Sequence, residues 1–460
     1  MITKNHPIHH VARITLECQS PLSISSDEAD PTIDNSIFRD ALGNPTIPGT
    51  SIAGVLNHLV QDTDGIPNTL FGHTENEGHA SAIRCSFGFV HNANNQVIKG
   101  SMQAQTDDNI TRFLAQQSPV LRDHVCLNEY GAANDQGKFD RSAVPKGTRF
   151  TFEISLSSTK AEQQENNEHW QNLLKLINSN HFRIGGLTHR GFGQVEVIGI
   201  KQQSFDFNQP NQITDWATWQ KSDWKTSTPT ENKTKPDVLL DLIAEDFWRV
   251  GEGTQTLQNN PEKEPDAKPY TETIIKWQNN QASLQHKQVV MPATGIKGAL
   301  RHRTLFHLRN LKQDWQGEQI KDNDLSQLFG QKGEMVAGKQ QGQASAMYIN
   351  DIYHIVKDPS KQTKVMMHNK IDRFTGGTIN GALFSEELIY KGTLPCEISF
   401  NKTRLKQVDN DIKKAFIEAV TDLGQGRLSL GAGSSKGHGY FEIKDLNTTI
   451  NTLKQVMEVA

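Results

Sequence analysis

Two glycine-rich loops, each with a cation near its centre, have the composition of a phosphate-binding site. The first occupies residues 184–196 and carries Arg190, and the second occupies residues 430–442 and carries Lys436 at the matching position. Glycine allows the backbone to approach a ligand closely, and backbone N–H groups beside a cation can hold an anion. A tight turn with a solvated cation explains a single loop equally well. Two loops with a cation at the same place favour a polyanion such as RNA.

Two proline-containing segments predict helices whose first turns could also bind phosphate. Residues 47–51 open one helix and residues 291–295 open the other, with Thr50 or Ser51 as the predicted cap of the first. Free N–H groups at a helix N-terminus attract anions, which makes Thr50 and Ser51 candidate RNA-binding residues. Plain capping explains Thr50 without a ligand. The second helix is the better candidate because it carries a cationic cluster of Lys297, Arg301, His302 and Arg303.

A long loop in each half of the chain predicts a projecting hairpin, since it contains glycine and returns into a strand. The first hairpin carries Arg122 and His124, and the second carries Lys370 and Arg373. These cations are candidate RNA contacts. Basic hairpin tips also serve solubility, so that role stays open.

The loops, helices and hairpins recur in the same order in both halves, at a nearly constant offset from Pro48 to Pro292 and from Gly147 to Gly392. Each copy predicts the order β-α-β-β-α-β, with later helices near residues 163–177 and 407–423. We therefore predict an α+β protein of two tandem ferredoxin-like (RRM-like) domains, each an antiparallel sheet with two helices on one face.

The predicted domains are residues 1–203 and 237–460. Residues 204–236 are predicted to be a linker because they are polar and contain proline. Three tryptophans, Trp216, Trp219 and Trp224, are expected to hold this segment against a surface.

The bulk composition excludes several classes of protein. The length of 460 residues predicts two domains, and the net charge of −4 argues against non-specific coating of nucleic acid. The histidines and the four cysteines lack metal-ligand spacing, and the glycine loops match neither the P-loop nor the dinucleotide fingerprint, which argues against zinc, ATP and NAD. The absence of a membrane-spanning run and of a signal peptide predicts a cytoplasmic protein without membrane association.

The Ile-Pro-Gly-Thr-Ser-Ile-Ala-Gly segment at residues 47–54 and the later glycine loop, repeated in order, resemble the RAMP superfamily of CRISPR-associated proteins. The closest similarity is to the backbone subunits of type III effector complexes, here with two such domains fused. The resemblance implies that the chain binds CRISPR RNA (crRNA) along a groove and that its hairpins act as thumbs that kink the RNA. It also implies target RNA and other effector subunits as partners, in antiviral defence.

In the type III backbone subunits, an aspartate in the loop before the proline-glycine helix cuts the target RNA, and the matching residue here is Asp34. Arg39, in the same segment, is a further candidate RNA contact. A carboxylate can accept the proton of the 2′-hydroxyl or hold Mg²⁺ against the phosphate. The resemblance therefore implies a metal-dependent endoribonuclease with a divalent cation, most simply Mg²⁺, at Asp34. From the residues alone, Asp34 could equally shape a turn.

The second copy departs from this pattern. Alignment of residues 270–276 on residues 33–39 places Thr271 opposite Asp34. We therefore predict one cutting site, with Asp246, Asp266 and Glu272 as weaker candidates for a second. Two alternatives remain: a non-catalytic crRNA-binding scaffold, and a precursor-crRNA processing endoribonuclease, which usually employs a histidine or tyrosine base.

Overall fold

The chain forms two compact units in the computed structural model. Unit 1 consists of Met1–Thr188, Phe192–Lys235 and Ile274–Leu284, and unit 2 consists of His189–Gly191, Pro236–Thr273 and Gln285–Ala460. The structure describes residues 6–26, 32–62, 65–73, 78–99, 108–128, 132–224, 226, 235–251, 253–258, 264–336 and 339–459, without the side chains of 134–136, 332, 334–336 and 339–341. The predicted domain boundaries stay a prediction.

The first half of the chain builds a six-stranded antiparallel sheet and a separate hairpin. Its strands are β1 (Ile8–Cys18), β2 (Thr46–Ile47), β3 (Ile83–Cys85), β4 (Gly88–Val90), β5 (Val120–Leu127), β6 (Ala133–Ala143), β7 (Arg149–Ser158) and β8 (Val195–Asp206). Its helices are α1 (Gly49–Gln61), α2 (Asn109–Leu114), α3 (Gln163–Ile177) and α4 (Pro210–Lys221), with 3-10 helices at Asn68–Phe71 and Thr188–Arg190.

The central strand of this sheet is β1, which pairs antiparallel with β7 on one side and β8 on the other. The strands that follow α1 pair with β7 and not with β1. Because β7 is inserted between the two strands that α1 connects, the topology is a split βαβ arrangement. Side chains of β1 such as Ile14 and Leu16 share one buried cluster with Leu56 of α1 and Trp170 of α3.

The opposite face of this sheet is covered by residues 205–224 and 226. Val11 of β1 packs in a cluster with Phe205 and Trp219, and Phe207 and Trp216 pack against that cluster. The expected anchoring role of these tryptophans is therefore confirmed, and the segment predicted to be a linker contains the end of β8 and α4. RRM proteins stack RNA bases on this face of the sheet. In unit 1, side chains of this covering segment, among them Phe205 and Trp219, occupy that surface.

Arg13 holds this covering segment in place. Its guanidinium donates to Glu153 Oε2 (2.9 Å) and to the backbone oxygens of Trp219 (2.9 Å) and Ser222 (3.0 Å). It also lies 4.7 Å from the ring of Trp219 and 4.9 Å from that of Trp224. The side chain is only 1% exposed, so its charge depends on these partners.

The second half of the chain repeats the split βαβ order in a four-stranded sheet, β15-β19-β9-β20, in which every pair is antiparallel. Its strands are β9 (Val238–Ala244), β10 (Phe247–Trp248), β11 (Thr271–Gln278), β12 (Gln281–Met291), β13 (Gln331–Val336), β14 (Lys339–Gln343), β15 (Met347–Ile349), β16 (Ile352–His354), β17 (Thr363–His368), β18 (Phe384–Tyr390), β19 (Thr393–Phe400) and β20 (Phe441–Ile443). Its helices are α5 (Ala293–Leu311), α6 (Ser326–Phe329), α7 (Pro359–Gln362), α8 (Lys402–Leu405), α9 (Asn410–Gly424) and α10 (Leu446–Met457), with 3-10 helices at Asp322–Leu325 and Ser434–Lys436. The predicted α+β class and antiparallel sheets are confirmed.

Each predicted hairpin is present. In the first half, β5 and β6 pair antiparallel, and in the second half β17 pairs with β18, which also pairs with β10. No helix among the described residues is long and apolar enough to cross a membrane.

The predicted cap of α1 is wrong. The helix begins at Gly49 with Pro48 as its N-cap, and no side chain caps it. Gly49 is required here because an added Cβ would lie 2.3 Å from the carbonyl oxygen of Cys85. Thr50 and Ser51 therefore occupy the first turn of the helix and not its cap position.

Candidate functional site

Asp34 lies on the surface, beside the base of the β5–β6 hairpin. Its amide donates to Asp140 Oδ1 (2.7 Å), and the amide of Asp140 donates to Asp34 Oδ2 (2.9 Å). These reciprocal bonds fix the Asp34 loop against β6, and each carboxylate accepts the backbone amide of the other aspartate. The side chain of Asp34 is exposed to solvent. Sequence reasoning missed Asp140, because no local motif marks a partner so far along the chain.

A cation, Arg141, follows Asp140 on the same strand. Its Nη1 donates to Ser25 Oγ (3.1 Å) and its Nη2 donates to Asn35 Oδ1 (3.3 Å). Burial lowers the pKa of Arg141 from its ordinary value, but an arginine stays charged at neutral pH. The Asp34 segment is therefore held by two consecutive residues of β6, Asp140 at Asp34 and Arg141 at Asn35.

The first glycine loop reaches the same place. Gly185 has a φ of +90°, and an added Cβ would lie 2.4 Å from the carbonyl oxygen of Ser23. The amide of Gly186 donates to that oxygen (2.8 Å), and a Cβ on Gly186 would lie 2.9 Å from Arg141 Nη1. The structure thus brings together the Asp34 loop, the base of the hairpin and residues 185–186 of the glycine loop.

The other predicted RNA contacts of the first copy occupy varied positions. Arg39 donates to the carbonyl oxygens of Gly43, Leu114 and Gln116, so it holds loops together. Burial lowers the pKa of Arg39.

Arg122 is 3% exposed and lies 4.8 Å from the ring of Phe192. The ring of His124 stacks on Phe139. Thr50 and Arg190 are exposed, and Ser51 is half-buried.

The predicted cationic cluster on α5 is engaged in internal bonds. Lys297 is buried and its Nζ donates to Ser345 Oγ (2.7 Å) and to the carbonyl oxygens of His189 (3.0 Å) and Met347 (3.2 Å). The other two predicted contacts are ion-paired: Arg301 with Asp322 (2.7 Å) and Arg303 with Asp422 (2.6 Å). RNA binding by these residues stays a prediction and would compete with these bonds.

Lys370 and Arg373 are exposed in the turn between β17 and β18, next to Phe374, whose side chain is 99% exposed. Lys436 lies elsewhere, where its Nζ donates to Glu386 Oε1 (3.0 Å). Of the predicted second-copy contacts, Lys370 and Arg373 therefore have the position best suited to a phosphate chain.

The three weaker candidates for a second cutting site differ in their surroundings. Glu272 is buried and accepts hydrogen bonds from the hydroxyls of Tyr270 (2.9 Å) and Tyr353 (2.8 Å). Asp246 lies in the turn between β9 and β10. Asp266 bonds to Ser385, the second residue of β18, next to the turn between β17 and β18. The bonding pattern of Asp34 recurs at Asp266, whereas the sequence alignment places Thr271 opposite Asp34.

The sequence model of the RAMP superfamily matches residues 15–196 and 247–442. These two regions cover most of the chain, so the chain belongs to the RAMP superfamily of CRISPR-associated proteins, with one matched region in each half. RAMP proteins bind crRNA in CRISPR complexes, and the family implies a ferredoxin-like fold. No curated protein matches the chain significantly.

Proposed function

We propose that this chain is a fused double backbone subunit of a type III CRISPR effector complex, which binds crRNA and cleaves guide-paired target RNA at Asp34. In this proposal its two halves are tandem ferredoxin-like domains and the β5–β6 and β17–β18 hairpins are the thumbs. The observation that carries the proposal is the exposed Asp34 carboxylate, fixed to Asp140 and accompanied by Arg141 and the glycine loop.

The proposed reaction is attack of a ribose 2′-oxygen on the adjacent phosphorus. The P–O2′ bond forms and the P–O5′ bond breaks, which leaves a 2′,3′-cyclic phosphate and a 5′-hydroxyl. The 2′-hydroxyl loses its proton to the carboxylate of Asp34, and the leaving 5′-oxygen takes a proton from solvent. The amide of Asp140 holds Asp34 Oδ2 at 2.9 Å, which limits the motion of this base. Arg141 stabilises the negative charge that develops on the phosphate.

The donor set at Asp34 and Asp140 fits a hydrated Mg²⁺ ion. Mg²⁺ usually takes one or two carboxylates together with phosphate oxygens and water, and these two aspartates supply two carboxylates. In the part of the chain that the structure describes, no group of three or more His, Cys, Asp or Glu side chains could hold a metal ion. The ion would therefore bind together with the RNA. When bound, it neutralises charge on the scissile phosphate.

The proposal predicts that Asp34→Asn, in the assembled complex with crRNA, abolishes cleavage at the positions cut by the first copy and leaves target binding intact. Asparagine keeps an oxygen that accepts the amide of Asp140 but cannot act as the base. Asp215→Asn on α4 is the matched control, because it removes the same charge from an exposed position. End-labelled target RNA reports the cut positions. Unchanged cleavage in Asp34→Asn would support the non-catalytic scaffold instead.

A further inference from the structure

The hydrogen bonds that fix Asp34 are repeated in the second half of the chain. The amide of Asp266 donates to Ser385 Oγ (3.1 Å), and the amide of Ser385 donates to Asp266 Oδ2 (2.8 Å). These bonds reproduce the reciprocal pair of Asp34 and Asp140, with a serine in place of the second aspartate. The hydroxyl of Ser385 also donates to Asp266 Oδ2 (2.9 Å).

The next backbone hydrogen bond along β6 and along β18 is also made by corresponding residues. The amide of Ser142 donates to the carbonyl oxygen of Asn35 (2.9 Å), and the amide of Glu387 donates to that of Ala267 (2.9 Å). The acceptors, Asn35 and Ala267, directly follow Asp34 and Asp266. The donors, Ser142 and Glu387, lie two residues after Asp140 and Ser385. The correspondence of Asp266 with Asp34 therefore extends beyond one pair of bonds.

The segments that lead into the two loops also correspond. The amide of Phe38 donates to the carbonyl oxygen of Ile24 (2.7 Å), and the amide of Tyr270 donates to that of Val250 (2.9 Å). Phe38 and Tyr270 each lie four residues after the aspartate. The four residues that follow Asp266 thus make backbone contacts that correspond to those of the four residues that follow Asp34.

The glycine loops meet these segments in the same way. Gly185 (φ +90°) would place a Cβ 2.4 Å from the carbonyl oxygen of Ser23, and Gly431 (φ +89°) would place one 2.3 Å from that of Arg249. An exposed aspartate, a hairpin strand that holds it and a glycine loop are therefore present in both halves, although Ser385 lies at the turn end of its hairpin and Asp140 lies towards the base of its own.

The cations are rearranged in the second half. Glu386 occupies the place of Arg141, is 1% exposed, and pairs with Lys436 (3.0 Å) and Arg249 (3.3 Å). Burial opposes ionisation, but Lys436 and Arg249 hold the pKa of Glu386 below its ordinary value. The positive charge beside Glu386 thus comes from Lys436 of the glycine loop and from Arg249, which follows β10, and Glu386 pairs with both cations.

We infer that Asp266 is a second cutting carboxylate, positioned by Ser385, so that one chain cleaves target RNA at two positions. The inference rests on the proposed function, and the bonds made and broken are those given for Asp34. Of the other two candidates, Glu272 is buried and bonded to two tyrosine hydroxyls, and Asp246 lies in the turn between β9 and β10.

The test compares Asp34→Asn, Asp266→Asn and the double variant in the assembled complex, with Asp246→Asn as the control. Target RNA labelled at each end reports every cut position. We expect Asp266→Asn to slow one set of cuts by about 100-fold or more, the scale of a lost general base, while the set that depends on Asp34 continues. Asparagine retains an oxygen to accept the amide of Ser385, so the loop is expected to fold.

The outcomes separate the inference from the proposed function. If Asp34→Asn removes its cuts and Asp266→Asn removes none, the inference is wrong and the function stands. If neither variant changes any cut, the proposed function is wrong. Loss of the second set in Asp246→Asn would also overturn the assignment.

Ser385→Ala supplies an independent readout if Asp266→Asn does not assemble. It keeps the carboxylate and removes only the hydroxyl that holds it. We expect slower cleavage at the second position alone, with the first position in the same molecules as an internal reference, and recovery in Ser385→Thr. Equal rates at both positions in Ser385→Ala would contradict a positioning role.

Discussion

At the scale of single residues, the site depends on contacts between positions that are distant in sequence. Asp34 was identified from its resemblance to a family motif, but its partner Asp140 is 106 residues away. No periodicity or spacing connects two such positions. Likewise, Arg39, Lys297 and Arg301 have the residue type that binds phosphate, and only the structure shows that each holds neighbouring loops or carboxylates.

Asp140 tests whether the reciprocal bonds matter for cleavage. We expect Asp140→Ala to slow the cuts that depend on Asp34 by about 10- to 100-fold, as for other groups that orient a metal-binding carboxylate. Asp140→Asn retains an oxygen that accepts the amide of Asp34, so it separates positioning from charge. Full activity in Asp140→Ala, measured with end-labelled target, would show that the pair only shapes the loop.

Two buried histidines predict a pH-dependent stability for unit 1. Burial lowers the pKa of His9 and of His91 from 6.5 to about 4. In the unfolded chain these histidines are protonated below about pH 6.5, whereas in the folded chain they stay neutral until about pH 4. The free energy of unfolding therefore falls as the pH decreases through this window. Each histidine contributes a slope of up to about 1.4 kcal/mol per pH unit.

Urea unfolding between about pH 7 and pH 5, above the main carboxylate range, measures this slope. His91→Gln can keep bonds to Asn95 and Thr151, so it is expected to flatten the pH dependence. The same slope in the variant would exclude His91 as its source.

At the scale of elements, the sequence predicted what depends on local pattern. The later helix of the first copy was expected near residues 163–177 and is observed at Gln163–Ile177, because its apolar positions recur with helical spacing. The glycines of both loops were recognised by their spacing, and several have positive φ. The alignment of the second copy placed residues of β11 opposite residues 33–39, whereas the hydrogen bonds of Asp34 recur at Asp266, because the two loops differ in length.

The Arg13→Ala variant measures how much Arg13 contributes to fixing residues 205–224 against the first sheet. Arg13→Ala leaves Glu153 and the carbonyl oxygens of Trp219 and Ser222 without their partner, so we expect a loss of about 3–5 kcal/mol in the free energy of unfolding. Lys201→Ala is the control, since Lys201 lies 5.1 Å from the Trp219 ring and should contribute at most about 1 kcal/mol. Similar losses in both variants, measured by urea unfolding, would contradict this role.

At the scale of the whole molecule, a net charge of −4 means that RNA must be held by local groups of cations. Many basic side chains are already paired with carboxylates, as the ion pairs of Arg301 and Arg303 show. The exposed Lys370 and Arg373 are the clearest candidates for phosphate contacts. A count of charged residues in the sequence cannot distinguish a basic side chain that is ion-paired within the protein from one that is exposed to solvent.

The salt dependence of crRNA binding distinguishes them. We expect Lys370→Ala with Arg373→Ala to reduce the slope of log affinity against log salt by about 2, or about 1 per lost phosphate contact. Arg301→Ala should leave the slope unchanged and reduce stability. An equal loss of slope in Arg301→Ala would show that its pair with Asp322 opens when RNA binds.

The central claim is that carboxylates of this chain cut the target RNA, and the Asp34→Asn and Asp266→Asn double variant tests it most directly. The complex carrying the double variant should bind crRNA and target as the unchanged complex does, and release no fragment ending in a 2′,3′-cyclic phosphate at any position assigned to this subunit. Cleavage at those positions with unaltered rate and end chemistry would contradict the account.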